Sequence, residues 1–233
     1  HLGATSALAL HHRNQYLFSG GRDGRICAST WPDLQPKFSL QAHRRSGVTC
    51  LAVSPDGMHL VSGSHGGSVK LWSAVEKSDP HWLVAAGPAV RAIRFHPLLE
   101  CVVAGFVDGN CRIFQPDFPA VSWQAHSEGL LALDLDGKGG LLATAGLDGV
   151  VHLWNILEKP KKLTTFKPEG GLVRSLCFNA DGSGLLVCAG ESHVSLWDVE
   201  SRKEVRHFLG HRQEVWSAQF SCDPNLIVTA SAD

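Results

Sequence analysis

Bulky aromatic residues return along this chain at a nearly constant interval. Trp72, Phe114, Trp154 and Trp197 lie 42, 40 and 43 residues apart. Such an interval is too long for one hairpin and too short for a domain, so it marks a supersecondary unit repeated in tandem. The unit is written most fully in residues 125–155, AHSEGLLALDLDGKGGLLATAGLDGVVHLWN. Leu130, Leu133 and Leu135 mark a first strand, and the run Asp136 to Gly140 a Gly-rich turn. Residues 141–145 read as a second strand, Leu147-Asp148-Gly149 as a tight turn, and residues 150–154 as a third strand. Short strands broken by Gly and Asp turns predict an antiparallel meander. About four strands in a unit of roughly 42 residues is the pattern of a β-propeller blade.

The period divides the chain into repeats of about 1–42, 43–84, 85–125, 126–167, 168–209 and a shortened 210–233, expected to form one domain. His1, His43, His126 and His211 open four of them, and Asp23, Asp108, Asp148 and Asp233 occupy matching turn positions. In the second repeat Ser54-Pro55-Asp56-Gly57 is a turn by mechanism, since Pro presets one dihedral and Gly takes the positive one. The stretches 76–80 and 158–162 read as solvated tips between third and fourth strands.

The first strands carry a further signal. Val48, Leu51 and Val53 fall at i, i+3 and i+5, as do Val90, Ile93 and Phe95; Val173, Leu176 and Phe178; and Val215, Ala218 and Phe220. A plain strand would keep period 2, so one extra residue stands after the first apolar position. This is the signature of a β-bulge, which turns that residue outward. The residues concerned are Thr49, Arg91, Leu131, Arg174 and Trp216.

Composition excludes several functions. The formal net charge is −1, and the basic groups at Arg44-Arg45 and 159–162 are small and scattered, which argues against direct nucleic-acid contact. No apolar run approaches the roughly 18 residues of a membrane span. The seven cysteines form no CxxC pair, and most sit in apolar strand patterns, so buried free thiols in a reducing, intracellular compartment are expected. The 13 histidines include the adjacent pair His11-His12, yet no ligand spacing follows; His11 and His96 read as surface turn residues, and no metal or cofactor is expected. The Gly-Gly pairs lead into no Lys-Ser/Thr and no helix, so they are turns and not phosphate loops.

The openings Ala125-His126 and Gly210-His211 and the close Trp197-Asp198, with weaker closes at Trp72-Ser73 and Trp154-Asn155, resemble those of the WD-repeat (WD40) family. The resemblance implies an all-β WD40 propeller, with about five and a half four-stranded antiparallel blades here and a chain continuing toward the family's usual seven. It also implies a hydrogen-bonded tetrad of His, Ser/Thr, Asp and Trp within a blade, which is complete only as His126, Thr144, Asp148 and Trp154. The second repeat has His43, Ser62 and Trp72 with Gly66 in the Asp place, and the third has Ala104 and Phe114 with no His. The first has His1, Ser19 and Asp23 with Ser29 for Trp, the fifth Glu191 and Trp197 without an opening His, and the sixth His211, Thr229 and Asp233. A Ser-His-Asp catalytic reading of these residue types fails, because no nucleophile elbow is present and the set recurs in degraded form around a repeat.

The function that follows is a non-catalytic scaffold binding other proteins or peptides within a multiprotein complex. The resemblance places the docking face on the His-opening loops and second-to-third-strand turns, where Arg22 and His65 would join Thr49, Arg91, Leu131, Arg174 and Trp216. Arg and Trp are the residue types that dominate interface energetics, and two Arg near an aromatic suit an acidic or modified peptide. Two other expectations attach to the family. One is a ubiquitin-ligase substrate receptor, weakened by Glu200 where Trp197-Asp198-Val199 should be followed by Arg. The other is a structural part of a ribonucleoprotein (ribosome-biogenesis) or ciliary assembly.

Overall fold

A computed structural model of the chain describes residues 1–11, 16–84, 87–221, 223 and 226–233. Among these residues every regular element is a β-strand. The first sheet joins β1 (Thr5–His11), β2 (Tyr16–Gly21), β3 (Arg25–Thr30) and β4 (Pro36–Gln41) in sequential order. The second joins β5 (Val48–Val53), β6 (His59–Ser64), β7 (Val69–Ser73) and β8 (Trp82–Val84). The third holds β9 (Val90–Phe95), β10 (Val102–Phe106), β11 (Asn110–Phe114) and β12 (Val121–Gln124). The fourth comprises β13 (Leu130–Leu135), β14 (Leu141–Gly146), β15 (Val151–Asn155) and β16 (Lys161–Phe166). The fifth is β17 (Val173–Phe178), β18 (Gly184–Ala189), β19 (His193–Asp198) and β20 (Lys203–Phe208). The last is a two-stranded sheet, β21 (Val215–Phe220) with β22 (Ile227–Ser231). Residue 85, where the third repeat is expected to open, and His12 lie outside the described residues.

Sequential antiparallel neighbours follow from the short connections, three to eight residues within each sheet, which favour pairing with the adjacent strand. The Leu147-Asp148-Gly149 turn shows how the sequence enforces this. Gly149 takes φ 73°, and the Asp148 carboxylate accepts the Val150 N–H at 3.3 Å. At the other end of the first strand a polar side chain caps the turn. Ser54 Oγ accepts the His59 N–H at 2.9 Å, Asp136 Oδ1 that of Leu141 at 2.8 Å, and Asn179 Oδ1 that of Gly184 at 2.9 Å.

The chain divides into two compact units, residues 1–122 and 123–233. In the first, β1 packs beside β5 and β5 beside β9; in the second, β13 packs beside β17 and β17 beside β21. The core therefore runs between sheets within each unit. In the first unit Phe18, Ile26, Val48, Leu60 and Trp72 bury one layer, while Val61, Val90, Ile93, Phe106 and Phe114 bury the next. In the second, Ala143, Val151, Val173, Leu185 and Val187 do the same, with Trp197 packed against them. Close approach needs small residues at the seam. A Cβ on Gly20 would lie 2.5 Å from Val48 Cγ1, and one on Gly63 would lie 2.6 Å from Cys50 Sγ and 2.7 Å from Val90 Cγ1.

The turn histidines depart from the surface reading. His11 and His96 are buried, at 1% and 4% exposure. The neighbouring sheet covers His11, whose Nε2 meets the Gly57 carbonyl oxygen at 2.6 Å, and a Cβ on Gly57 would sit 2.3 Å from His11 Cε1. Nδ1 of His96 accepts the Leu98 and Leu99 N–H groups at 3.2 and 3.1 Å. An imidazole at the end of the first strand can satisfy backbone groups, and in His11 it also fills the seam with the next repeat.

Candidate functional site

The bulges stand where the apolar spacing places them. Pairing shifts register between Val48 and Cys50, between Leu130 and Ala132, between Val173 and Ser175, and between Val215 and Ser217. In the third sheet Phe106 pairs Val90 and Gly105 pairs Ala92, which leaves Arg91 unpaired. Thr49, Arg91, Leu131, Arg174 and Trp216 are thus the extra residues, as a bulge requires. A sixth first-strand bulge lies between Thr5 and Ala7. Its extra residue, Ser6, donates from Oγ to the Gly20 carbonyl at 3.1 Å and also contacts the Val48 carbonyl. The apolar spacing misses it because Thr5 fills the place of the first apolar residue.

Exposure at these positions differs. Arg91 is exposed, Trp216 is 52% exposed, and Thr49, Leu131 and Arg174 are half-buried. Arg22 and His65 follow directly after β2 and β6 and are exposed, with their N–H groups donating to the Ala4 and Gly47 carbonyls, each at 3.0 Å.

Within the second unit two bulge residues from adjacent sheets come together. The Arg174 guanidinium carbon lies 4.5 Å from the centroid of the Trp216 ring. Arg174 Nη2 also donates to Glu214 Oε1 at 2.6 Å. Glu214, which no periodicity in the sequence marks, precedes β21 and so reaches back to the neighbouring bulge. One ring face is occupied by a cation whose own charge is balanced, so the site presents a held aromatic surface with polar edges.

The tetrad of the fourth sheet is assembled in full. His126 Nδ1 lies 2.9 Å from Asp148 Oδ2, His126 Nε2 lies 2.9 Å from Thr144 Oγ1, and Trp154 Nε1 donates to Thr144 Oγ1 at 2.9 Å. The indole can only donate, so the threonine hydroxyl accepts from it and donates onward to Nε2. The ring is then neutral with its proton on Nδ1, donated to Asp148. Burial pushes the His126 pKa below the usual imidazole range, outweighing the opposing pull of Asp148. Thr144 is thereby a relay between two rings, and it is fully buried.

The second sheet repairs its missing Asp in a way the sequence reading does not anticipate. His43 Nε2 meets Ser62 Oγ at 2.9 Å, Trp72 Nε1 donates to the same Ser62 Oγ at 2.9 Å, and His43 Nδ1 meets Ser68 Oγ at 2.7 Å. Ser68, two residues past Gly66, takes the carboxylate's place, with Ser64 Oγ 2.8 Å behind it. Burial first, and then the nearby Lys70 charge, bring the His43 pKa down to about 4. In the first sheet His1 reaches Asp23 and Ser19 at 3.2 and 2.9 Å; in the last His211 reaches Asp233 and Thr229, each at 2.8 Å. In the third sheet an apolar pair, Phe106 and Phe114 with centroids 6.4 Å apart, stands where others hydrogen-bond. Trp197 in the fifth turns to its own strand, donating to Ser195 Oγ at 2.9 Å, and stacks on Phe166 at 4.4 Å.

Donor atoms of His126, Asp148 and His152 fall within 4.8 Å of one another. The two rings stack at 4.6 Å with planes 23° apart, so their lone pairs point in nearly parallel planes and do not converge on one ion. His126 uses both nitrogens within the tetrad, and His152 Nδ1 meets Thr165 Oγ1 at 2.7 Å. The group is a packed polar network.

Two family models match the chain: "WD domain, G-beta repeat" over residues 1–28, 34–73 and 118–155, and "Anaphase-promoting complex subunit 4 WD40 domain" over residues 152–223. The chain belongs to the WD40-repeat proteins. Among curated relatives, the U3 snoRNP-associated protein-like EMB2271 of Arabidopsis thaliana is 29% identical over 208 residues, 87% of this chain and 38% of the relative. WD repeat-containing protein 18 of Bos taurus is 32% identical over 158 residues, 63% of this chain and 34% of the relative. Pre-mRNA-processing factor 17 of Homo sapiens is 30% identical over 115 residues, 48% of this chain and 20% of the relative. This WD40 chain spans 38% or less of the length of these three relatives. Among the described residues no helix is long and apolar enough to cross a membrane.

Proposed function

We propose that this WD40 chain is a non-catalytic docking module that holds a protein or peptide partner within a multiprotein assembly. The observation that carries the reading is the pairing of Arg174 with Trp216, set by bulges in adjacent sheets and fixed by Glu214. A half-exposed indole held from behind loses little conformational entropy when a partner covers it, which is the economy of an interface hot spot. Arg91, at the matching bulge of the third sheet, together with Thr49, Leu131, Arg22 and His65, belongs to the same class of candidate contact. Because Arg174 is already neutralised by Glu214, the partner's acidic or modified group is better matched to exposed Arg91 than to Arg174.

A ribonucleoprotein setting is the assembly we favour. Two relatives carry names that place them with a U3 snoRNP and with pre-mRNA processing. The net charge of −1 argues that the chain joins such a particle through protein contacts and not through phosphate. The names of these relatives give no support to the ligase-receptor or ciliary readings. The test is affinity purification of the intact protein with and without nuclease, read by mass spectrometry. A stoichiometric partner that survives nuclease and is lost with Arg174→Glu and Trp216→Ala supports the module. A set of proteins that vanishes with nuclease contradicts protein-mediated docking.

A further inference from the structure

A second candidate site lies in the first unit, at the opposite ends of β5 and β9 from Thr49 and Arg91. A cavity of about 310 Å³ opens there between the second and third sheets. Its walls include Leu71, Phe95, Val102 and Phe114, and Leu98 and Leu99 stand at its mouth. These two leucines are 73% and 52% exposed. They are not loosely placed, because the buried His96 accepts both of their N–H groups and the Cys101 N–H donates to the Leu99 carbonyl at 2.7 Å. Adjacent exposed leucines held at the lip of an apolar cavity extend the apolar surface outward, which is the pattern of a surface that a partner covers.

Shape and charge narrow the occupant. The volume sits at the lower end of the range for ligand pockets, roughly 300–1,000 Å³. It accommodates one large apolar side chain or two smaller ones, and the leucine rim then requires an occupant that continues beyond the cavity. The carboxylates of the lining are Asp56 and Glu100, both exposed, and among the described residues no Lys or Arg lines it. Asp56 is anchored, with Oδ1 accepting the Ser54 hydroxyl at 2.5 Å and the Met58 N–H at 2.9 Å. Two carboxylates beside an apolar hole, one of them anchored, are complementary to a cationic segment with an apolar anchor.

We infer that this inter-sheet cavity is a peptide-docking site, taking an apolar side chain flanked by Lys or Arg. It is independent of the Arg174–Trp216 site, so either reading stands if the other fails.

The test is a random dodecapeptide phage library panned on the intact protein, with selected peptides synthesised and their affinities measured. The expected peptides carry Leu, Ile, Phe or Met within a few positions of Lys or Arg. Leu98→Glu should weaken them by about tenfold or more, the size of effect expected when a charge is set against an apolar contact. Glu100→Lys should weaken them several-fold and flatten their salt dependence, and Trp216→Ala should change nothing. Both substituted residues are exposed, and the milder Leu98→Ser gives a second reading of the rim. The inference is overturned if no peptide is enriched, if the enriched peptides are acidic, or if they bind Leu98→Glu and Glu100→Lys as well as the parent.

Discussion

The guanidinium of Arg174 lies against the ring of Trp216, 4.5 Å from its centroid, although the two residues belong to different sheets 42 positions apart in the chain. Each occupies the extra position of a β-bulge, and Glu214 closes the group by pairing with Arg174 at 2.6 Å. Repetition of one local irregularity thus brings together side chains that no single strand could.

Arg174→Ala should change stability little, by up to about 1 kcal/mol, since it removes a partly exposed ion pair and one cation–π contact. Its effect on partner binding should be much larger. Urea denaturation and titration with the purified partner, run on the same variant, separate the two. A large loss of stability would make the pair structural.

Thr144→Val should be costly. The hydroxyl is fully buried and serves both the His126 ring and the Trp154 indole. Its loss leaves two buried polar groups without a partner, roughly 2–6 kcal/mol at about 1–3 kcal/mol each. Ser19→Ala in the first sheet, where no indole shares the hydroxyl, should cost less. Amide hydrogen exchange resolved by sheet measures both, and equal effects would contradict the relay.

Acid should destabilise the chain before its carboxylates titrate. Burial, reinforced by neighbouring positive charge, brings the pKa of both His43 and His152 down to about 4. A histidine whose folded pKa lies below its unfolded value binds more protons when unfolded, so its contribution is complete above about pH 6.5 and is lost as pH falls toward 4. Stability should therefore decline across pH 6.5 to 4, and His43→Gln or His152→Gln should flatten that decline. A slope unchanged in both variants would exclude them as its source.

Buried thiols should resist alkylation. Burial pushes Cys50 and Cys101 up to about 11 and Cys188 to about 12, and raises Cys111 as well. The thiolate is the reactive form, so iodoacetamide at pH 8 should label half-buried Cys27 well before Cys111 or Cys188 in the native protein. Peptide mapping checks the order, and early labelling of Cys111 would show that its sheet opens.

Much of this was legible in the residues. The 42-residue period and the Gly–Asp turns dictate the meander, and the i, i+3, i+5 spacing marks five bulges down to the residue. What was illegible lies between sheets. Nothing local to His11 shows that Gly57 of the next repeat will close over it, and nothing local to Glu214 shows that it reaches Arg174. Ser68 was missed for another reason: a hydroxyl two residues along can meet the same ring nitrogen as an absent carboxylate, and residue type at a fixed position does not reveal that.

The most direct measurement places photoreactive p-benzoylphenylalanine in turn at Trp216 and at Val205, in the intact protein in cells. Val205 is 59% exposed on the outer strand β20, in an irregularity of the third-to-fourth-strand pairing and away from the first-strand bulges, so it controls for chance encounter. A docking module acting through the first-strand bulge residues gives one discrete crosslinked partner from position 216 and none from 205. No crosslink from 216, or the same products from both positions, would contradict it.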